Sequence, residues 1–224
     1  GSRRGAGCSA DSSDGCDDAQ RSREPIVWTG DLRLKEIEHK FIVDEQFDLP
    51  GFRLAVTALG PARTSTVRVQ DRYFLTEGGS ARRFVVRHRY DAELHHLTIK
   101  ALESDTEVRD EVNLDLGHQA GSQAAQVDAF MDRLGVIWRG ALHKELEVWY
   151  FPDCEVVYYQ AATSSRSVRC VEFEAKGGDS LAEALATVER FERATGFTGA
   201  SRSRLSLPQI LFPDLDEALA RRGG

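Results

Sequence analysis

The chain has 224 residues, 41% hydrophobic and 29% charged, which suits a globular protein of one large or two small domains. Its net charge of −7 argues against general nucleic-acid binding, because a phosphate backbone demands an excess of cations. No apolar run approaches a membrane span and no signal-peptide pattern is visible, so the expectation is a cytoplasmic protein without specific nucleic-acid or membrane partners.

Residues 1–26 are rich in Gly, Ser, Asp and Arg and read as a disordered tail, leaving 27–224 as the folded domain. The opening Gly1-Ser2, without a Met, reads as a remnant of expression. The first strand pattern is Lys35 to Val43, where Glu36, Glu38 and Lys40 alternate onto one face. Breakers at Pro50-Gly51 and Gly60-Pro61 bracket a short helix at about 51–59. Strand patterns follow over Thr66–Leu75, Arg82–Tyr90, His95–Leu102 and Glu107–Leu116, with Glu77-Gly78-Gly79-Ser80 predicted as a turn. This is an antiparallel meander. The period then changes: Ala124, Val127, Phe130, Met131 and Leu134 recur at three and four, predicting a helix over 119–134 that ends at Gly135. Strands resume at Ala141–Phe151, Glu155–Ala161 and Val168–Lys176. A second helix is expected over 179–195, with Ser180 and Glu183 spaced as a capping box and Leu181, Leu185, Val188 and Phe191 as its apolar face. A tail helix is expected at about 214–222.

The four cysteines, Cys8, Cys16, Cys154 and Cys170, match no common zinc spacing and read as free thiols, with a Cys154–Cys170 bridge as an open alternative. Arg is plentiful, yet only five lysines occur: Lys35, Lys40, Lys100, Lys144 and Lys176. Lysines surviving inside strand patterns are candidates for phosphate contacts as compact point charges, although codon bias explains their scarcity equally well.

About eight strands and two helices make one α+β domain, and the repeat of meander then helix suggests two similar halves. Charged residues occupy one face of strand after strand. A sheet with one wet face explains this, and so does a closed barrel with a charged lumen and helices packed outside. In a meander that closes, the first and last strands become neighbours. Glu36 and Glu38 would then meet Glu172 and Glu174, and their repulsion would call for a divalent cation. Oxygen-only ligands point to Mg²⁺ or Mn²⁺. The middle strands supply Lys40, Arg87, Arg89, Lys100, Arg109 and Lys144, a set suited to a polyphosphate. Neither a Walker loop nor a Gly-rich dinucleotide turn is present.

Glu36-x-Glu38-x-Lys40 resembles the signature of the CYTH domain, or triphosphate tunnel metalloenzymes, which include class IV adenylyl cyclases, thiamine triphosphatases and inorganic triphosphatases. Four further stretches resemble the family's later motifs in order: Phe84-Val85-Val86-Arg87-His88-Arg89, Leu97-Thr98-Ile99-Lys100, Arg109-Asp110-Glu111 and Val171-Glu172-Phe173-Glu174. The resemblance implies an eight-stranded antiparallel tunnel, a β-barrel with helices outside. It implies metal held by Glu36, Glu38, Glu172 and Glu174 with Glu111, and a small triphosphate substrate held by Lys40, Arg87, Arg89, Lys100, Arg109 and Lys144. Glu36, Glu38 and Lys40 would form the catalytic signature. Three positions depart from the family: Leu75 follows Tyr73-Phe74 where an aspartate is usual, Leu146 stands two after Lys144 in place of arginine, and 158–162 holds no aspartate. Loss of that last carboxylate would weaken metal binding or water activation. The expected function is divalent-metal-dependent hydrolysis of a triphosphate. The alternatives are a class IV-type cyclase or a triphosphate-binding module with reduced catalysis. The oligomeric state is left open, a homodimer included.

Overall fold

A computed structural model of the chain describes residues 35–102, 108–177 and 179–220. The expected tail at 1–26, Glu107 and the end of the tail helix at 221–222 lie outside the described residues.

Nine strands and six helices are present in the described residues. The strands are β1 (Lys35–Val43), β2 (Arg63–Thr76), β3 (Phe84–Tyr90), β4 (His95–Ala101), β5 (Val108–Asp115), β6 (Val136–Tyr150), β7 (Cys154–Ala162), β8 (Ser167–Ala175) and the two-residue β9 (Arg202–Ser203). They run in the order β5-β4-β3-β2-β6-β7-β8-β1-β9, and a β5–β1 pairing closes the ring. Every pairing is antiparallel. The first and last long strands are therefore neighbours, with Glu38 opposite Glu174 and Lys40 opposite Glu172. Of the two explanations for one-sided charge, the closed barrel holds. Closure leaves few edges to protect, which suits so long a meander.

The helices are α1 (Leu49–Ala58), α2 (Glu77–Arg82), α3 (Ala124–Arg133), α4 (Leu181–Ala194), α5 (Leu207–Leu211) and α6 (Pro213–Ala220). Three pack outside the barrel. The Asp48 side chain caps α1 by accepting from Gly51 N at 3.0 Å, and Ser180 caps α4 by accepting from Glu183 N at 3.2 Å. Phe52 and Val56 of α1 and Val188 and Phe191 of α4 bury against the outward side chains Phe41, Trp149, Val171 and Phe173. Val127 and Met131 of α3 cover Phe74 and Val86. Three residues of the expected helix faces do not join the core: Phe130, Leu134 and Leu181 are exposed.

The turn predicted at 77–80 is instead the short helix α2. Thr76 Oγ1 accepts from Gly79 N at 2.9 Å, and Arg83 closes the helix in the left-handed region at φ 59. Gly79 serves close approach rather than a turn, since a Cβ there would lie 2.6 Å from the Phe84 carbonyl oxygen. The α5–α6 pair was expected only in part. Ser206 and Gln209 form a capping box at α5. Leu207, Leu211, Phe212 and Leu215 then pack among the inward side chains Tyr73, Leu75, Val85 and Leu142. These two helices stop one end of the barrel.

Candidate active site

Alternation along the strands aims Glu36, Glu38 and Lys40 of β1, Arg87 and Arg89 of β3, Lys100 of β4, Lys144 of β6, and Glu172 and Glu174 of β8 into one lumen. All ten expected lumen residues other than Glu111, with Arg109 of β5 among them, line a single cavity of about 150 Å³. Glu111, also on β5, lines an adjoining cavity of about 360 Å³ with Glu36, Glu174 and Lys176. The stopped end is deep; Tyr150, Glu155 and Glu93 stand at the open mouth.

The charges are arranged in distinct groups. Lys100 Nζ bridges Glu36 at 2.8 Å and Glu111 at 2.7 Å. Lys40 Nζ bridges Glu38 at 2.9 Å and Glu172 at 3.1 Å. Lys176 holds Glu174 at 2.8 Å. Burial works against the ionised Glu38, but Lys40, Lys100 and Arg109 outweigh it and hold the carboxyl down at about 2. Glu36 goes the other way. Burial, with Glu38, Glu111 and Glu174 nearby, outweighs Lys100 and pushes it up to about 8. Glu174 is pushed up to about 7 by burial and by Glu155 and Glu38, despite Lys176.

The most deeply held carboxylate was not among the expected site residues. Asp71 of β2 is fully buried and accepts a bidentate pair from Arg89 at 2.7 Å and 2.7 Å, with Lys144 Nζ at 3.4 Å. Burial opposes its ionisation, yet Arg89 and Lys144 keep its carboxyl well below the usual range. Its signal in the sequence was a lone acid on the face that carries Val67, Val69, Tyr73 and Leu75. Lys144 in turn lies 4.9 Å from the centroid of the Tyr159 ring, and Tyr159 donates to Glu172 at 2.6 Å. Burial, aided by Arg89 and Arg87, lowers Lys144 to about 8 against the pull of Asp71.

Arg87 and Arg109 differ from Arg89. Each is buried, at 7% and 8% exposure, and each leaves its Nε without a hydrogen-bond partner among the described residues. Arg87 donates to Thr98 at 3.2 Å, and Arg109 donates to the Arg204 carbonyl at 2.8 Å. Their nearest carboxylates stand off, Glu111 at 3.8 Å and Glu38 at 3.7 Å. Buried donors that lack partners cost stability unless a ligand supplies them.

Among the described residues, no three His, Cys, Asp or Glu side chains are already arranged to hold a metal ion. The β1–β8 wall nevertheless offers the right chemistry for a hard divalent cation. Its donors are carboxylate oxygens, and burial, with neighbouring carboxylates adding to it, raises Glu36 and Glu174. Cys154 and Cys170 are free and buried, so the bridge considered above is absent.

The barrel defines the class: this is the α+β triphosphate-tunnel, or CYTH-type, fold. Solved structures place it there at low identity. The chain is similar to the PH1012 protein of Pyrococcus horikoshii OT3, with a TM-score of 0.63 and 14% identity over 79% of this chain and 99% of that one. A conserved hypothetical protein of Pyrococcus furiosus gives 0.60 and 18% over 79% and 99%. A provisionally assigned adenylate cyclase of Bacillus halodurans gives 0.53 and 17% over 80% and 99%. No family model and no curated protein matches the sequence.

Proposed function

We propose that this chain is a triphosphate tunnel enzyme that binds a small triphosphate in the lumen and hydrolyses it with a divalent cation. The observation that carries the reading is the pair of buried guanidiniums, Arg87 and Arg109, each with a donor lacking a partner and each opening on the cavity shared with Lys40 and Lys100. Arginine suits this task because its fork meets phosphate oxygens bidentately. Lys40 and Lys100 add point charge once a bound cation takes over the carboxylates they now bridge. Glu36, Glu38 and Glu174, with Glu111 and Glu172 beside them, would hold Mg²⁺ or Mn²⁺. When bound, that cation supplies Lewis-acid polarisation of a phosphoryl oxygen and a more acidic water. The chain's own groups align the anhydride along the tunnel and neutralise charge as it develops on the leaving oxygen. The stopped end limits bulk water around the reacting phosphorus.

A second reading has a specific observation behind it. Asp71 occupies both Arg89 and Lys144, and Tyr159 and Ala161 stand on the inward face of β7 where no carboxylate is offered. The inward carboxylate that β7 does offer, Glu155, stands at the mouth, so the carboxylate missing at depth favours binding with little turnover.

The test is product analysis with tripolyphosphate, ATP, GTP and thiamine triphosphate, each with Mg²⁺ or Mn²⁺, alongside a Glu36→Gln/Glu38→Gln variant. Metal-dependent phosphate release that the variant loses supports hydrolysis. Cyclic nucleotide with pyrophosphate would replace the reading by a cyclase. Saturable binding without any product would replace it by the binding module.

A further inference from the structure

Two neutral side chains sit within the charged wall. Thr98 stands two residues before Lys100 on β4, and Asn113 two residues after Glu111 on β5, so both share the inward face. They are direct cross-strand partners. Thr98 is fully buried, whereas Asn113 is exposed at the adjoining cavity beside Glu36, Glu111 and Glu174. Three hydrogen bonds through this pair join Arg87 to Glu111. Arg87 Nη2 donates to Thr98 Oγ1 at 3.2 Å, Thr98 Oγ1 donates to Asn113 Oδ1 at 2.7 Å, and Asn113 Nδ2 donates to Glu111 Oε1 at 3.0 Å. The two ends fix the direction of every bond. A guanidinium can only donate and a carboxylate can only accept, so the Thr98 proton turns to Asn113 and the Asn113 NH₂ turns to Glu111. A flipped amide would set its oxygen against the carboxylate. The direct path is open: Arg87 Nη2 and Glu111 Oε1 are 3.8 Å apart, too far for a hydrogen bond.

We infer that Thr98 and Asn113 are positioning residues: they tie the orientation of Arg87, on the anion side of the lumen, to Glu111, on the cation side. This rests on the triphosphate reading above. An arginine side chain is long and rich in rotamers, so a guanidinium already fixed when the anion arrives loses less entropy than one the anion must order. Thr98 supplies that fixation at one end of the fork, while Arg87 Nε keeps no acceptor among the described residues. Asn113 matters because it takes the Thr98 proton, which leaves the hydroxyl lone pairs turned to Arg87. Arg109 is held in another way, by the Arg204 carbonyl, so the chain governs one of the two guanidiniums and not the other.

The experiment measures the Kd of tripolyphosphate with Mg²⁺ on the full chain, by titration calorimetry, for Thr98→Val, Thr98→Ser and Asn113→Ala, each alone and combined with Arg87→Met. Thr98→Val should weaken binding about tenfold, the scale of one hydrogen bond to a charged group. Asn113→Ala, at an exposed position where packing is not disturbed, should weaken it about threefold, the scale of a neutral hydrogen bond. Thr98→Ser keeps the hydroxyl and should bind as the parent does. In the Arg87→Met background, Thr98→Val and Asn113→Ala should cost nothing further, because residues that act through Arg87 have nothing left to act on. Equal losses with and without Arg87 would overturn the inference, and so would a Thr98→Ser protein as weak as Thr98→Val. A second measurement needs no ligand. Side-chain NMR of Arg87 should show slow rotation of the guanidinium in the parent and in Thr98→Ser, and faster rotation in Thr98→Val. If the parent binds no tripolyphosphate, the triphosphate reading fails by itself; the positioning role then stands if Arg87 rotation responds to Thr98→Val and falls if it does not.

Discussion

The barrel keeps two buried carboxylate neighbourhoods, and they are balanced in opposite senses. At depth, one carboxylate, Asp71, serves two cations, Arg89 and Lys144, and stays ionised far below the ordinary range. On the β1–β8 wall, burial, with neighbouring carboxylates adding to it, outweighs Lys100 and Lys176 and lifts Glu36 and Glu174 to about 8 and about 7. The first is a completed ion network, so it acts as scaffold and fixes where Arg89 points. The second is short of positive charge, so it has capacity for a cation. Between them Arg87 and Arg109 each keep a buried Nε without a hydrogen-bond acceptor among the described residues. A cation and an anion arriving together would satisfy both shortages, which neither could do alone.

The largest effect should come from breaking the completed network. Asp71→Ala leaves Arg89 and Lys144 buried without their shared anion, and loss of one partner of a buried pair costs about 3–5 kcal/mol. Chemical denaturation should show that loss, while Asp71→Asn, which keeps the side-chain volume and one acceptor oxygen for Arg89 but turns an N–H group toward the remaining donors, should lose less. A stable Asp71→Ala protein would mean that the clamp is not scaffold. Next in size is the effect on ligand binding. Arg87→Met and Arg109→Met should each weaken triphosphate affinity by about 2–5 kcal/mol, the range for truncating one side of a desolvated charge contact. Their stability in the absence of ligand should change less than that, because losing the contacts to Thr98 and the Arg204 carbonyl is offset by removing a buried Nε that lacks a partner. Unchanged affinity in both variants would contradict the anion site.

The crowded wall makes its own prediction with pH. The Glu36 and Glu174 pKa values are raised above the ordinary 4.5, so the folded protein keeps protons that the unfolded chain releases. Their contribution is fully present below about pH 4.5 and is lost as pH rises through about 7 and about 8. Metal-free protein should therefore lose stability between pH 5 and 8, on the order of 6 kcal/mol when both groups contribute. Glu36→Gln should flatten that slope, and so should saturating Mg²⁺ or Mn²⁺. A metal-free profile that is already flat would remove the argument that this wall is short of positive charge.

Much of this was legible beforehand because a strand's period of two is hard to disguise. Glu36-x-Glu38-x-Lys40 and Glu172-x-Glu174 declare their faces, and the order of strands brings them together once the meander closes. Helices α3 and α4 are visible from their spacing, although the same spacing places Phe130, Leu134 and Leu181 on core faces they do not join. The misses share a cause: their partners are distant in sequence. Asp71 looked like one polar residue among valines until Arg89 and Lys144 arrived from β3 and β6. Gly78-Gly79 reads as a turn unless the Phe84 carbonyl is known to press on Gly79. Glu192, on what looks like the polar side of α4, is buried because His39 meets it at 2.5 Å and Arg202 at 2.7 Å.

The smallest predicted effect tests the edge of the comparison, at the mouth. Lys176 reaches Glu174 at 2.8 Å and Glu155 at 3.3 Å, but its side chain is 36% exposed. Water screens such a pair, so Lys176→Met should change stability by less than about 1 kcal/mol. Its informative consequence is on the neighbour. Removing the ammonium deprives Glu174 of its main opposing charge, so the Glu174 carboxyl should titrate higher still, and metal-dependent stabilisation should begin at a higher pH than in the parent protein. NMR titration of the Glu174 side chain would follow the shift directly. An unmoved Glu174 would mean that burial and Glu155 alone set its value, and that the wall's deficit extends all the way to the rim.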